Sequence, residues 1–301
     1  MGKGWSLLFG AVLLACFLSL VISPFVGWWL PKNVASFGGD IDFLFYIILY
    51  LTGFFFVLTE TILVYAMWKF AHNPNRRAEY VHGNHRLEVL WTVVPAGILL
   101  YIAFAQIPAW AHMKSAEPTS WFVYGKFLVK NADPDMVVEV TARQWEWRMR
   151  YGDPTNLVPT NPREWADNPQ SDDLHGVNAL HTWKDANVRV YIKTLDVIHS
   201  FFLPNLRLKQ DTLPGRTIAI WFRPIESNCT FDEKTGKTIL DPAKEWEIAC
   251  AELCGPRHYA MRGQFYVHES WEDYRKWLEH TKTAENSAAP EKRVVVETKD
   301  K

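Results

Sequence analysis

Two thiols, an imidazole and a thioether fall within twelve residues: Cys250-Ala-Glu252-Leu-Cys254-Gly-Pro-Arg-His258-Tyr-Ala-Met261. The second cysteine follows the first by four positions, the histidine by four more and the methionine by three. All four are soft or borderline metal ligands. Thiolate, imidazole and thioether together suit copper, because zinc rarely takes a methionine sulfur. A mononuclear copper of the blue type uses one Cys, two His and a weak Met, so this segment has one thiol too many for it. Two thiolates can instead bridge two metal ions, and a second histidine would give each ion one imidazole. The best donor is His199, in Asp196-Val-Ile-His199-Ser-Phe-Phe-Leu-Pro204, read as the end of a strand before an aromatic stretch. His175 and His181 lie in a polar stretch, where a solvated role is the default. Two alternatives stay open on these residues alone. The cysteines could pair as a disulfide in an oxidising compartment, or two Cys and two His could hold structural zinc.

The elements that position this cluster read as β. Met136–Gln144 and Val188–Thr194 alternate apolar and polar residues, and Thr217–Phe222, Trp246–Ala249 and Gly263–His268 are short runs rich in aromatic and β-branched residues. Pro204, Pro214-Gly215 and Pro224 punctuate them, as turns of a sandwich or barrel do. Residues 152–187 and 224–245, rich in Asn, Asp and Pro, read as long loops. Ser270 is a candidate N-cap for a helix whose apolar face is Trp271, Tyr274, Trp277 and Leu278. Beyond residue 282 the chain is polar and without period, the pattern of a disordered tail.

The long apolar runs lie before residue 112. Trp5–Leu30 carries no charge, and Phe43–Trp68 carries only Glu60. Leu87–Ile107 carries Glu88 near its start and Pro95 in its first half. Each is long enough to cross a bilayer core of about 30 Å. The first run reads either as a retained helix or as a cleaved signal, and Cys16 within it as a small apolar residue. Residues 69–86 hold Lys69, Arg76, Arg77 and Arg86 against Glu79, so this connection belongs in the cytoplasm with His72, His82 and His85. The polar part after residue 112 then lies on the outer side.

Composition narrows the function classes. Thirty-two basic against 33 acidic residues gives a net charge of −1, which excludes a strongly basic nucleic-acid binder. Fifteen tryptophans fit membrane interfaces and buried sites. Four cysteines in 301 residues do not make a disulfide scaffold.

With these residues in view, the chain resembles subunit II of the haem–copper cytochrome c oxidases over about residues 40–280. The motif C-x-E-x-C-G-x-x-H-x-x-M is met in full, and His199-Ser…Pro204, Gln144-Trp145-Glu146-Trp147 and Leu87-Glu88…Pro95 support it. The resemblance implies a membrane α-helical hairpin, with an additional N-terminal helix or signal, followed by an all-β cupredoxin-like sandwich. The divisions expected are 1–39 for the N-terminal apolar segment, 40–112 for the hairpin, 113–282 for the copper domain and 283–301 for the tail.

It also implies roles. Cys250 and Cys254 would bridge two coppers, His199 and His258 would each bind one, Met261 would bind one weakly, and Glu252 would offer its backbone carbonyl to the other. The Glu252 side chain would face the haem-containing subunit I, where the family places Mg²⁺. Trp145 would be the point where electrons arrive from cytochrome c, with one of Trp145 and Trp147 packed in the core. Acidic groups such as Glu146 and Asp196 would steer a basic cytochrome. Glu88 would open a proton-uptake path into subunit I, against the bland reading of a snorkelling surface acid. Glu60 matches no family position. Together these imply a proton-pumping oxidase that reduces O₂ to water in a bacterial cell membrane or mitochondrial inner membrane, in contact with lipid and further oxidase subunits. No C-x-x-C-H follows the copper motif, so the donor would be a separate protein.

Three rivals remain on sequence. A quinol oxidase subunit would have lost copper ligands that are intact here. Against a nitrous or nitric oxide reductase component with a similar copper domain, the hairpin and Glu88 favour the oxygen-reducing assembly. A disulfide-bonded binding module would have paired cysteines.

Overall fold

The apolar runs become helices, and the alternating segments become two packed sheets. The computed structural model describes residues 3–77, 80, 82–114, 122–123, 126–127, 134–152 and 155–292, with side chains not described at 122–123, 126–127 and 285–292. Glu79, in the basic connection, lies outside them. Two compact units result: Met1–Pro31 with Asp40–Ala109, and Lys32–Gly39 with Trp110–Lys301.

The first unit holds α1 (Gly4–Ile22), α2 (Gly38–Lys69) and α3 (His85–Ala105); α4 (Ile107–Lys114) follows after a break at Gln106. Three apolar segments of helix are long enough to cross a membrane: Gly4–Ile22, Gly38–Lys69 and His85–Lys114. At 1.5 Å per residue the shortest is about 28 Å long. The first helix ends at Ile22, short of the apolar run's end, where Ser23-Pro24 turns the chain. Helices α1 and α2 touch through small residues. A Cβ on Gly53 would lie 2.7 Å from Leu20, and one on Gly10 would lie 3.6 Å from Val64. The side chain of Asn84 caps α3 by accepting from the N–H groups of Arg86 and Leu87.

The second unit is the sandwich. A two-residue pair, β1 (Phe122–Val123) with β2 (Lys126–Phe127), precedes it. Then come β3 (Met136–Arg143), β4 (Glu146–Tyr151), α5 (Pro162–Asp167), β5 (Leu174–Val177), β6 (Ala179–Trp183) and β7 (Val188–Thr194). They are followed by β8 (His199–Leu203), β9 (Leu208–Thr212), β10 (Ile218–Phe222), β11 (Cys229–Asp232) and β12 (Lys237–Leu240). The last elements are β13 (Glu247–Cys250), β14 (Arg262–His268) and α6 (Trp271–Lys292). One sheet has the order β10-β7-β3-β4-β5; the other runs β12-β11-β14-β13-β8-β9, with β6 added parallel to β14. Val138, Val140, Trp147, Met149, Val190, Ile192, Phe201, Ile248 and Phe265 are buried in the core.

Three expectations change. The stretch 152–187 contains α5, β5 and β6, and 224–245 contains the β11–β12 hairpin. The strands there are four or five residues long and carry too few apolar positions to show a period. Residues 283–292 continue α6 where an unstructured tail is expected, and the rest of that tail, 293–301, lies outside the described residues. Ser270 does cap α6, accepting from the Asp273 N–H at 3.2 Å, and Tyr274 and Leu278 are fully buried.

The alternation in β3 also has a cause the sequence conceals. Its polar face is covered too: Glu139 and Thr141 are buried beneath α5. Arg150 from β4 holds that cover down. It pairs with Glu139, bonds Asp173 at 2.5 Å, and donates to the carbonyls of Trp165 and Ala166 at 2.8 and 2.9 Å. The segment Lys32–Gly39 forms a further edge. The Val34 N–H donates to the Asn205 carbonyl and the Ser36 N–H to the Arg223 carbonyl, burying Val34, Ala35 and Phe37.

Candidate metal centre

Strand register brings the ligands together. Strands β8 and β13 pair antiparallel with Cys250 opposite Phe201, so the last residue of β13 lies beside the first residues of β8. His199 therefore opens β8 rather than ending a strand. Strands β13 and β14 also pair antiparallel, and the loop between them starts at Cys250 and closes at Met261. Its turn depends on Gly255, at φ +120°, a conformation that L side chains rarely adopt. A Cβ there would meet the Gln144 amide at 3.1 Å and the Trp145 ring at 3.3 Å. Gln144 Nε2 donates to the Cys254 carbonyl at 2.7 Å, tying the β3–β4 turn to the ligand loop.

Six candidate atoms converge. The sulfurs of Cys250 and Cys254 are 3.8 Å apart, and both cysteines are free. Disulfide bonding needs a separation of about 2.05 Å, so the two sulfurs are not bonded to each other in this structure. His199 Nδ1 lies 3.9 Å from Cys250 Sγ, and His258 Nδ1 lies 3.6 Å from Cys254 Sγ. The Met261 thioether is 3.9 Å from Cys254 Sγ, and the Glu252 carbonyl is 3.2 Å from Cys250 Sγ. First-row ions bind sulfur at about 2.3 Å and nitrogen at about 2.0 Å, so two ligands of one tetrahedral ion lie about 3.5–3.8 Å apart. The residues present fit such ions: the spacings are close to tetrahedral edges, and the donor set is soft.

Protonation follows the same geometry. Burial raises the Cys250 thiol, but hydrogen bonding from His199 and nearby backbone outweighs it and brings the group down to about 6. Burial and the neighbouring Cys250 charge push Cys254 up to about 12. Without metal the pair thus holds a single proton and a single negative charge at neutral pH. Burial lowers His199, yet its bonds to Cys250 and Asp196 win and hold it above its ordinary value.

A carboxylate missed as a support stands behind His199. Asp196 Oδ1 accepts from His199 Nε2 at 2.8 Å, and its Oδ2 accepts from the Gln144 N–H at 2.7 Å. Burial opposes its ionisation, but these bonds and that from Val197 hold the carboxyl below the usual range. The D-x-x-H spacing is the signal that could have found it.

The other predicted residues lie as follows. Trp145 is half-buried beside Gly255, with the Arg257 guanidinium 6.0 Å above its ring. Trp147 is the core tryptophan, fully buried and edge-on to Phe201 and His199. The Glu252 side chain is exposed. Glu88 sits in the first turn of α3, half exposed, 3.7 Å from His85 Nδ1. Glu60 lies within α2. His181 is buried on β6 rather than solvated, stacked on Trp277 at 3.9 Å and Tyr266 at 4.3 Å. Exposed His175 is on β5.

A β-sandwich with two cysteines, two histidines and a methionine at one edge, joined in sequence to apolar helices, defines a membrane-anchored cupredoxin-like metalloprotein. Residues 17–108 match the family model for the cytochrome C oxidase subunit II transmembrane domain, and residues 136–235 match that for the subunit II periplasmic domain. The chain is 31% identical over 272 residues to an alternative cytochrome c oxidase subunit 2 of Bradyrhizobium diazoefficiens, covering 85% of this chain and 84% of that one. It belongs to the cytochrome c oxidase subunit II family. Identity to cytochrome c oxidase subunit 2 of Synechocystis sp. is 26% over 282 residues, 87% of this chain and 76% of that one. The crystal structure of the periplasmic domain of cytochrome oxidase subunit II of Bradyrhizobium japonicum matches with 26% identity and a TM-score of 0.37, covering 51% of this chain and 98% of that one. His199 lies inside the matched periplasmic segment, and Cys250–Met261 lies beyond its end.

The chain is accordingly a haem–copper oxidase subunit, part of an oxidoreductase complex, and a membrane protein with an outward domain. Its periplasmic domain implies a copper site, with a His/Cys cluster to hold it.

Proposed function

We propose that this chain receives electrons from a cytochrome c at a binuclear copper centre and passes them to haem in subunit I, where O₂ is reduced to water and protons are pumped. The observation that carries this is the pair of unbonded sulfurs 3.8 Å apart, with His199 Nδ1 3.9 Å from one and His258 Nδ1 3.6 Å from the other. Cys250 and Cys254 would hold the coppers together, with one imidazole each from His199 and His258, and Met261 and the Glu252 carbonyl would be the weaker donors. When bound, the copper pair supplies a site that takes up and gives out one electron at a time. The residues around it keep that site still: Asp196 fixes the His199 ring and Gln144 fixes the loop at Cys254.

Trp145 receives the incoming electron, since it packs against the Gly255 turn at the ligand loop. The exposed Glu252 carboxylate faces subunit I and takes a Mg²⁺ there. Glu88 opens the proton path, supported by its place at the start of a membrane helix. The host membrane is a bacterial cell inner membrane or the mitochondrial inner membrane.

Copper content of the purified full chain tests this reading. Two coppers per chain are expected, falling when either cysteine is changed to serine. A single copper, or zinc in its place, would contradict it.

A further inference from the structure

Steering of a basic donor would need an excess of carboxylate charge near Trp145, and the groups of this region do not supply one. Both Asp196 oxygens accept hydrogen bonds, one from His199 and one from the Gln144 N–H. Glu146 lies between two guanidinium groups, bonded to Arg143 at 2.8 Å and to Arg148 at 2.7 Å. Glu247 is paired with Arg262 at 2.8 Å. Arg257 lies over the Trp145 ring itself, placing a positive charge where a lysine-ringed cytochrome would approach. With the exposed Glu252 of the ligand loop included, the acids Asp196, Glu146, Glu247 and Glu252 stand against Arg143, Arg148, Arg257 and Arg262, so the net charge of this set is zero.

Uncharged surface fills the same place. The short loop between β7 and β8 presents Leu195, Val197 and Ile198 with exposures of 65%, 41% and 43%. Asp196 fastens that loop to Gln144, the residue before Trp145. The three side chains therefore sit on a loop bonded to Ala142 and Gln144, next in sequence to the tryptophan, and that loop ends in the candidate ligand His199. Exposed apolar groups beside a functional residue mark a protein contact.

We propose that the electron donor docks here through apolar contact: it is a small redox protein whose cofactor edge is framed by uncharged, apolar side chains instead of a ring of lysines. This rests on the reading of Trp145 and the copper centre above and specifies the partner of that site. Such docking lacks long-range attraction, so its rate depends little on salt.

The test uses the purified oxidase and stopped-flow mixing with two reduced cytochromes c, one strongly basic with a lysine-ringed haem edge, one near neutral with an apolar edge. With the neutral donor the second-order rate should change by less than about threefold between ~20 and ~300 mM NaCl, and it should exceed that of the basic donor at the higher salt. The double substitution Leu195→Ser, Val197→Ser should slow the neutral donor about tenfold and leave the copper spectrum unchanged. A rate that falls steeply with salt, or indifference to the double substitution, overturns the proposal. Ascorbate with a small uncharged mediator separates the two readings. If the mediator reduces the centre while the docking results fail, only this inference falls; if it reduces no copper, the proposed function falls first.

Discussion

Asp196 holds His199 by the ring nitrogen opposite the one that faces Cys250, at 2.8 Å. The carboxylate sets the tautomer, leaving Nδ1 free to act as a ligand. Supports of this kind are typically worth 10–100-fold in metal affinity, on the order of 1–3 kcal/mol. Asp196→Ala should therefore weaken copper retention by about that factor in a competition with a chelator. Asp196→Asn, which keeps one acceptor oxygen, should recover part of it. Equal retention in all three proteins would show that the bond does not position the ligand.

Metal loading should release protons in a number set by the thiols. At about pH 7 Cys250 is mostly thiolate, whereas Cys254, pushed up to about 12, is protonated. Loading with Cu(I) should release about one proton at pH 7 from the thiols, the one carried by Cys254. Calorimetry in buffers of different ionisation enthalpy reads this number directly. A release close to zero would mean that Cys254 keeps its proton and is not a ligand.

The Arg150 network should be the costliest one to break in the sandwich. Arg150, Glu139 and Asp173 are all nearly inaccessible to water. Replacing Arg150 by Leu strands two carboxylates, leaving the partly buried Lys193, 3.2 Å from Glu139, as compensation. The expected loss is about 3–5 kcal/mol in denaturant unfolding of the full chain in detergent. Glu146→Gln, on an exposed cluster, should cost under about 1 kcal/mol.

Acid should destabilise the sandwich through His181. Burial, then the adjacent His268, holds its pKa well below 6.5. Its Nδ1 lies 3.1 Å from His268 Nε2, and His268 Nδ1 donates to Asp273 at 2.7 Å. The folded pKa is lower than the unfolded one, so below pH 6.5 the unfolded chain binds a proton that the folded chain refuses. The His181 contribution should be flat above that pH and fall by about 1.4 kcal/mol per pH unit beneath it. His181→Phe, which preserves the stacking on Trp277, should flatten the slope in metal-free protein. An unchanged slope would assign acid sensitivity to other groups.

Much of this was legible from local pattern. The ligand spacing of Cys250–Met261 is a property of one loop, and the membrane runs announce themselves by length. Partnership across the sheets was not. Asp196 reads as a surface acid until Gln144 and His199 are seen on either side of it. His181 sits in a stretch of polar composition, and only its parallel pairing beside Tyr266 and the cover of α6 bury it. Lys32–Gly39 looks like a linker, yet its backbone completes a sheet edge more than 170 residues away in sequence, at Asn205 and Arg223. Short strands such as Cys229–Asp232 and Lys237–Leu240 are specified by pairing with each other, not by an apolar period.

The central claim is that two sulfurs hold two coppers close enough to share an electron. Electron paramagnetic resonance of the oxidised, copper-loaded chain reads this directly. The account predicts hyperfine splitting by two equivalent copper nuclei, lost in Cys250→Ser and in Cys254→Ser. Splitting by a single nucleus in the unaltered protein would contradict it.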